Sequence, residues 1–488
     1  MAFMDGQDNG GDRDGSKGRA MALDGIFHPR SVAFAGVSGD SFNSGAMLMG
    51  AVVDSGFKGD IYPVHPRGGD VLGYKCYTSI KDIPGPVDHV VVCIPARYTR
   101  QLVQDCVAKG VKSMAFFTAG FSETGAEDGK KLETELVSIA REGGVRLIGP
   151  NCMGIYCPSS GLAIQMGMPK ESGSVGYVCQ SGGNTVHGVA EANSRGVCFS
   201  KAISYGNACD VNETDLFEYF THDPETKIIA AYVEGIRKGE RFVKALREAT
   251  QAKPVIILKG GRTDAGAATA ASHTGSLACS TSVWKGLIEQ TGVVQVESLE
   301  EMTDCILPFL YMKPPKGPNT AIIGIGGGAS VIAADDCYSA GLNVPSLPLE
   351  MREELKGLTT EAGNIFNNPI DTQSFMVGVE EFSKTVRIVA DWDGIDLLIV
   401  HIAHESLMME MGMTRTFVNV AIDTLKDIGK PTAVALYGAS SPKGWTTIFE
   451  EQQQCMDAGF PVYYSVKTAA NAISKYIRYN QSRNNHHE

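Results

Sequence analysis

The sequence predicts an α/β protein made of three successive parallel-sheet units, the first Rossmann-like and the other two doubly wound. Three observations carry that prediction. Short β-branched runs alternate with stretches of helical periodicity from about Leu23 onward, which is the pattern of repeated βαβ units. The composition, 43% hydrophobic and 20% charged with 56 glycines, is that of a globular chain with many turns. The length of 488 residues suits roughly two to four domains, each able to bury a core.

Residues 1–20 are polar and glycine-rich and are expected to form a disordered tail. The first unit, residues 21–155, opens with a strand over 31–38, a helix around 45–55 and a strand over 59–66. Further strands at 87–95, 113–118 and 145–149 follow, and the last leads into Gly149-Pro-Asn-Cys-Met-Gly154. The second unit, residues 156–315, has an apolar strand from 174 that runs into Ser181-Gly182-Gly183 and a helical stretch at 186–193. Its strand at 227–236 carries Glu234 in the carboxyl end. Its strand at 254–260 precedes a run of small residues, 261–277, that contains His273. Consecutive prolines in residues 313–319 forbid both helix and central strand and mark a linker. The third unit, residues 316–488, has strands expected at 320–330, 396–401, 431–437 and 461–464.

In a parallel sheet the three strand ends of the second unit share one edge, where open α/β sheets bind ligands. Ser181, Glu234 and His273 therefore fall together. A bulky imidazole stands where the chain otherwise removes side chains, leaving backbone N–H groups free to wrap a phosphate. A carboxylate beside an imidazole fixes its tautomer and makes the other nitrogen the nucleophile. Each feature alone is ordinary, as a loop histidine, a strand-end acid or a Gly-Ser turn. Their agreement in placement describes a phosphohistidine site.

The formal charge of −12, with no stripe of Lys and Arg, excludes nucleic acid as a partner. Anions must be held by backbone amides and a few cations. Twelve cysteines are scattered without a C-x-x-C pair or matching histidines, so neither a metal site nor a disulfide framework is indicated, and a reducing cytoplasm follows. No transmembrane stretch or signal-peptide core is present, so no membrane association is expected.

A Rossmann-like first unit suggests a dinucleotide, and two features oppose it. The first strand ends in Gly36-Val-Ser-Gly39 in place of G-x-G-x-x-G, and the second ends in Pro63-Val64-His65-Pro66 where a ribose-binding acid belongs. What remains is a site for another nucleotide-like ligand, with Arg67, Gly68 and Gly69 able to meet phosphates. No G-x-x-x-x-G-K-[ST] loop occurs, and residues 324–330 lack its lysine.

Residues 32–38, 63–66, 93–96, 118–125, 148–154, 180–182, 233–235, 259–261 and 271–275, in this order, resemble the ADP-forming acyl-CoA synthetases, relatives of succinyl-CoA synthetase. The resemblance extends over residues 23–479. It implies that the first domain binds coenzyme A through Gly36, Ser38, Pro63, Val64 and Arg67. Cys93, Ile94, Pro95, Thr118 and Ala119 would line the pantetheine path, and Asn151 would lie near the thiol and acyl group. His273 would be phosphorylated with Glu234 as its partner, and Ser181, Gly182, Gly183, Thr274 and Gly275 would surround the phosphate. His65 and Gly183 depart from the family's Asn and Ser or Ala, which leaves their individual roles open.

The resemblance also implies that the two ligase domains are flavodoxin-like, residues 326–328 and 367–371 matching the smaller one. Nothing in the chain resembles a nucleotide-grasping domain. It is similar to an α subunit, with ATP or ADP and Mg²⁺ expected on a separate ATP-grasp β subunit in an α2β2-type hetero-oligomer. The implied reaction joins a small carboxylic acid to CoA, with ATP giving ADP and phosphate. A non-catalytic CoA-binding module and a CoA-dependent acyl or carbamoyl transferase remain as alternatives.

Overall fold

The computed structural model describes residues 23–39, 43–274, 281–324, 326–358, 364–371, 379–402, 413–437 and 442–484. The chain divides into two compact units that meet between Leu299 and Glu300. No helix among the described residues is long and apolar enough to cross a membrane.

The amino-terminal unit contains two large sheets. The first is built from β1 (Ser31–Ala35), β2 (Asp60–Val64), β5 (His89–Val92), β6 (Ser113–Phe116) and β7 (Arg146–Ile148), in the order β2-β1-β5-β6-β7. All its pairings are parallel. Every residue of β1 is buried, as expected of a strand covered by helices on both faces. A short hairpin, β3 (Gly69–Val71) with β4 (Tyr74–Cys76), follows β2.

The second sheet runs β13-β12-β11-β9-β10-β8. Its strands are β8 (Gly154–Tyr156), β9 (Val175–Cys179), β10 (Phe199–Ser204), β11 (Ile228–Val233), β12 (Val255–Lys259) and β13 (Val294–Val296). Only β8 is antiparallel; it joins β10 and so attaches the segment after Asn151 to the second sheet. Partly buried ion pairs from β7 tie the two sheets together. Asp210 accepts from Arg146 Nε at 2.8 Å and from the Leu147 N–H at 3.1 Å, and Arg146 Nη2 also reaches Asp215 at 3.4 Å.

The carboxyl-terminal unit has one parallel sheet, β15-β14-β16-β17-β18. Its strands are β14 (Thr320–Gly324), β15 (Ile370–Asp371), β16 (Leu397–Ile402), β17 (Thr432–Leu436) and β18 (Val462–Tyr463). Asn368 pins β14 by accepting from the Ile322 N–H at 3.0 Å and donating to the Thr320 carbonyl at 2.8 Å. The helix Leu299–Tyr311 precedes this sheet, so its residues beyond Leu299 group with the carboxyl-terminal unit, ahead of the proline-rich run.

Each unit buries a histidine in a central strand. Burial pushes His89 and His401 down to about 4. His89 Nδ1 lies 2.8 Å from Ser113 Oγ, and the His401 ring meets Tyr437 edge-on at 5.7 Å. An unfolded histidine titrates near ~6.5, so between about 6.5 and 4 the unfolded chain binds more protons. Stability is therefore complete above that window and lost as the pH falls through it, by on the order of 3 kcal/mol per histidine. Urea midpoints should drop between pH 7 and pH 4.5. Equal midpoints would contradict the burial of neutral imidazoles.

Candidate active site

The strand orders place the site. In the second sheet, β9 leads to β10 on one side while β11, β12 and β13 lie on the other, so the direction of winding reverses between β9 and β11. A crevice opens at such a switch point, outside the carboxyl ends of the strands. Ser181 follows β9 and Glu234 follows β11, one on each side of it.

Ser181 caps the helix Gly182–Ser194, its hydroxyl accepting from the Asn184 N–H at 3.3 Å. This capping leaves the N–H groups of Gly182 and Gly183 in a first turn that has no intrahelical partners for them. The helix dipole adds partial positive charge at the same point. An anion can be seated here without a lysine side chain.

Glu234 is held from three directions. Tyr232 Oη donates to Glu234 Oε1 at 3.0 Å, and burial, then the charge of Glu234, raises the pKa of that phenol and keeps it a donor. The backbone is fixed by Gln180, whose side-chain Oε1 accepts from the N–H groups of Glu234 at 2.8 Å and Gly235 at 3.1 Å. Lys259, buried at the end of β12, donates to the Glu234 carbonyl at 2.7 Å and also to that of Gly260. Gln180 and Lys259 are parts of the site that sequence reasoning did not assign. Their positions in Gln-Ser-Gly and Lys-Gly-Gly were the available signal.

His273 requires a correction. The small-residue run was expected to form an open phosphate-wrapping loop, but residues 264–274 form a helix, Asp264–Thr274, with His273 next to its end. Alanine is the strongest helix former, and Thr263 caps the helix by accepting from the Gly266 N–H at 3.1 Å. The His273 and Thr274 side chains and Gly275 lie outside the described residues. The helix follows β12, on the same edge as Ser181 and Glu234, and approaches the turn Ser122–Thr124 within 8 Å between Cα atoms.

The first sheet has its own switch point, between β1 and β5. Gly36 sits there with φ +98°, and a Cβ on it would lie 2.6 Å from the Cys93 carbonyl oxygen, so the two strand ends meet only because residue 36 is glycine. The N–H of Gly36 donates to the Val64 carbonyl at 2.9 Å, and Asn43 Oδ1 accepts from the Ser38 N–H at 3.3 Å. Gly36, Ser38, Pro63, Val64, Cys93, Ile94 and Pro95 are thus brought to one edge by β1, β2 and β5. Thr118 joins them by donating to the Ile94 carbonyl at 2.7 Å, with Ala119 exposed beside it. Arg67 is exposed in the turn after β2. Burial pushes the Cys93 thiol up to about 12, so it stays a neutral wall.

The two edges are joined through the loop after β10. Asn151, at φ +56°, donates its N–H to the Thr118 carbonyl at 3.0 Å. The next loop returns the contact, the Asn207 N–H donating to the Pro150 carbonyl at 2.9 Å and the Gly206 N–H to the Gln180 carbonyl at 3.1 Å. Asn151 therefore lies between the first-sheet crevice and the Ser181 turn, within one connected set of backbone hydrogen bonds.

Residues 30–158 match the CoA binding domain family, and residues 172–308 match the succinyl-CoA ligase like flavodoxin domain. The alpha subunit of acetate–CoA ligase (ADP-forming) II from Pyrococcus furiosus is 37% identical over 381 residues, 77% of this chain and 81% of that one. Acetate–CoA ligase (ADP-forming) I from Archaeoglobus fulgidus, whose name carries no subunit designation, is 31% identical over 93% of this chain, which spans 63% of its length. Among solved structures, the dinucleotide forming acetyl-coenzyme A synthetase 1 of Ca. Korarchaeum cryptofilum, in complex with phosphate and ADP, aligns with a TM-score of 0.81. It is 29% identical and covers 95% of this chain and 97% of its own.

Proposed function

This chain belongs to the ADP-forming acid–CoA ligases, and we propose that it is the α-type half of such an enzyme, working with a separate ATP-grasp polypeptide that holds ATP and Mg²⁺. Residues 21–155 would form the CoA domain, 156–315 the phosphohistidine domain, and 316–488 a second ligase domain. The observation that carries the reading is the pairing of two switch points. One is shaped by Gly36 and the Cys93 loop; the other is flanked by Ser181 and Glu234.

In the proposed sequence a neutral imidazole nitrogen of His273 attacks the γ-phosphorus of ATP, and ADP leaves. A carboxylate oxygen of the acid then takes the phosphoryl group, which frees the imidazole and gives an acyl phosphate. The CoA sulfur, having lost its proton, attacks the acyl carbon, and inorganic phosphate departs. Amides of Gly182 and Gly183 at the helix start stabilise the phosphoryl oxygens in each step. Glu234 orients the imidazole and offsets the charge it develops. Thr274 and Gly275 are proposed to border the phosphate, Arg67 to meet a phosphate of CoA, and Asn151 to lie beside the acyl group. Acetate, the acid in the name of the Pyrococcus relative, is the first substrate to try.

The test is calorimetry together with a turnover assay. The chain should bind CoA and not NAD⁺, and should form acetyl-CoA from ATP, acetate and CoA only when an ATP-grasp partner is added. Robust ATP-dependent product from the purified chain alone would show that the divided-enzyme reading is wrong.

A further inference from the structure

Asn207 is 1% exposed and touches three loops of the site at once. Its N–H donates to Pro150, beside Asn151, at 2.9 Å, and its carbonyl accepts from Arg237, three residues beyond Glu234. Its side-chain amide faces the turn that follows Thr118. Nδ2 donates to Glu123 Oε2 at 2.6 Å, Glu133 Oε2 at 3.1 Å and Ser122 Oγ at 3.2 Å. Glu123 in turn shapes that turn, its Oε1 accepting from the N–H groups of Gly120 at 2.5 Å and Phe121 at 3.1 Å. Burial alone would raise the Glu123 carboxyl, yet the hydrogen bonds from Asn207, Gly120 and Phe121 outweigh it and lower the pKa. The helix bearing His273 lies against the same turn, at Ser122–Thr124.

We propose that Asn207 is a positioning residue: a neutral clasp between Glu123 and Glu133 that holds the CoA-side turn 118–124 in register with the phosphate centre. The assignment rests on the reading that CoA occupies the first-sheet crevice. Two carboxylates converge on one amide, whose N–H groups donate to both without adding charge. The charged groups around it are Glu123 and Glu133 on one side and Arg237, beside Glu213, on the other. Asn207 Oδ1 has no partner among the described residues, so the clasp acts through its N–H groups alone.

Asn207→Asp keeps the shape and adds a third carboxylate. With coenzyme A itself as the probe, calorimetry at pH 7.5 should show affinity at least about tenfold below wild type. In turnover with the partner the CoA KM should rise more than kcat falls. Affinity should recover toward pH 5.5, where a shared proton restores a donor, while wild type gains nothing over that interval. Asn207→Asp/Glu123→Gln should recover at pH 7.5, because the glutamine amide supplies the missing donor. Wild-type affinity in Asn207→Asp, or a deficit equal at both pH values and unrelieved by Glu123→Gln, would overturn the proposal. Should Asn207→Asp not fold, Asn207→Ala replaces it, with affinity lowered about fivefold at both pH values; unchanged affinity would again overturn it. Failure of wild type to bind CoA would instead refute the underlying reading of the crevice.

Discussion

Glu234→Gln should slow phosphorylation of the chain by roughly 100-fold or more while leaving CoA affinity unchanged, the range associated with a group that assists proton or charge movement at a reacting centre. The substitution keeps the volume of the side chain and can keep a hydrogen bond from Tyr232, since the amide oxygen still accepts. The backbone hold from Gln180 and Lys259 is also untouched. Only the charge is removed, and a neutral amide cannot balance the imidazolium that the proposed phosphorylation of His273 would form. Rapid-quench measurement of label incorporation, with CoA calorimetry on the same preparation, separates the two effects. A rate within about twofold of wild type would exclude Glu234 from the role given to it.

Gly206→Ala should cost on the order of 3 kcal/mol of stability and abolish acyl transfer. Gly206 has φ +50°, and a Cβ there would stand 2.2 Å from the Pro150 carbonyl oxygen and 2.5 Å from that of Asn151. Both neighbours are backbone and cannot rotate aside. The strain falls where the Asn151 loop meets the loop that donates to Gln180, so the Asn151 loop and the Ser181 turn must move apart. Thermal unfolding should show a lowered midpoint, and acetyl-CoA formation should disappear even where the variant remains folded. An unchanged midpoint with normal turnover would mean that this close approach does not position the site.

The long strands were legible because parallel strands buried on both faces read as continuous apolar runs. The runs 227–236 and 396–401 overlap β11 and β16 for that reason, the first overshooting the carboxyl end of its strand by three residues. Short strands were legible only where an apolar run marks them, as at β7 and β18. β8, β13 and β15 are two or three residues long, and nothing in Gly154-Ile-Tyr156 or Val294-Gln-Val296 shows which neighbour will accept their hydrogen bonds. β10 and the β3–β4 hairpin were also missed. The small residues around His273 suit a phosphate loop in sequence, yet the same alanines are strong helix formers, and no apolar stripe marks the helix. Gln180 was passed over because its side chain acts on Glu234, 54 residues away, a contact that exists only once β9 and β11 pair. The switch points depend on strand order, which no local pattern encodes. What the sequence supplies is the placement of Ser181 and Glu234 after two strands, β9 and β11, that pair in the second sheet.

The central claim is that the second-sheet edge passes a phosphoryl group through His273. The direct measurement is incubation of the chain and an ATP-grasp partner with γ-labelled ATP and Mg²⁺, followed by mapping of the label on this chain. The account predicts an acid-labile, base-stable label at His273, chased off by acetate and CoA and absent in His273→Ala. Label retained in that variant, or mapped to another residue, would contradict it.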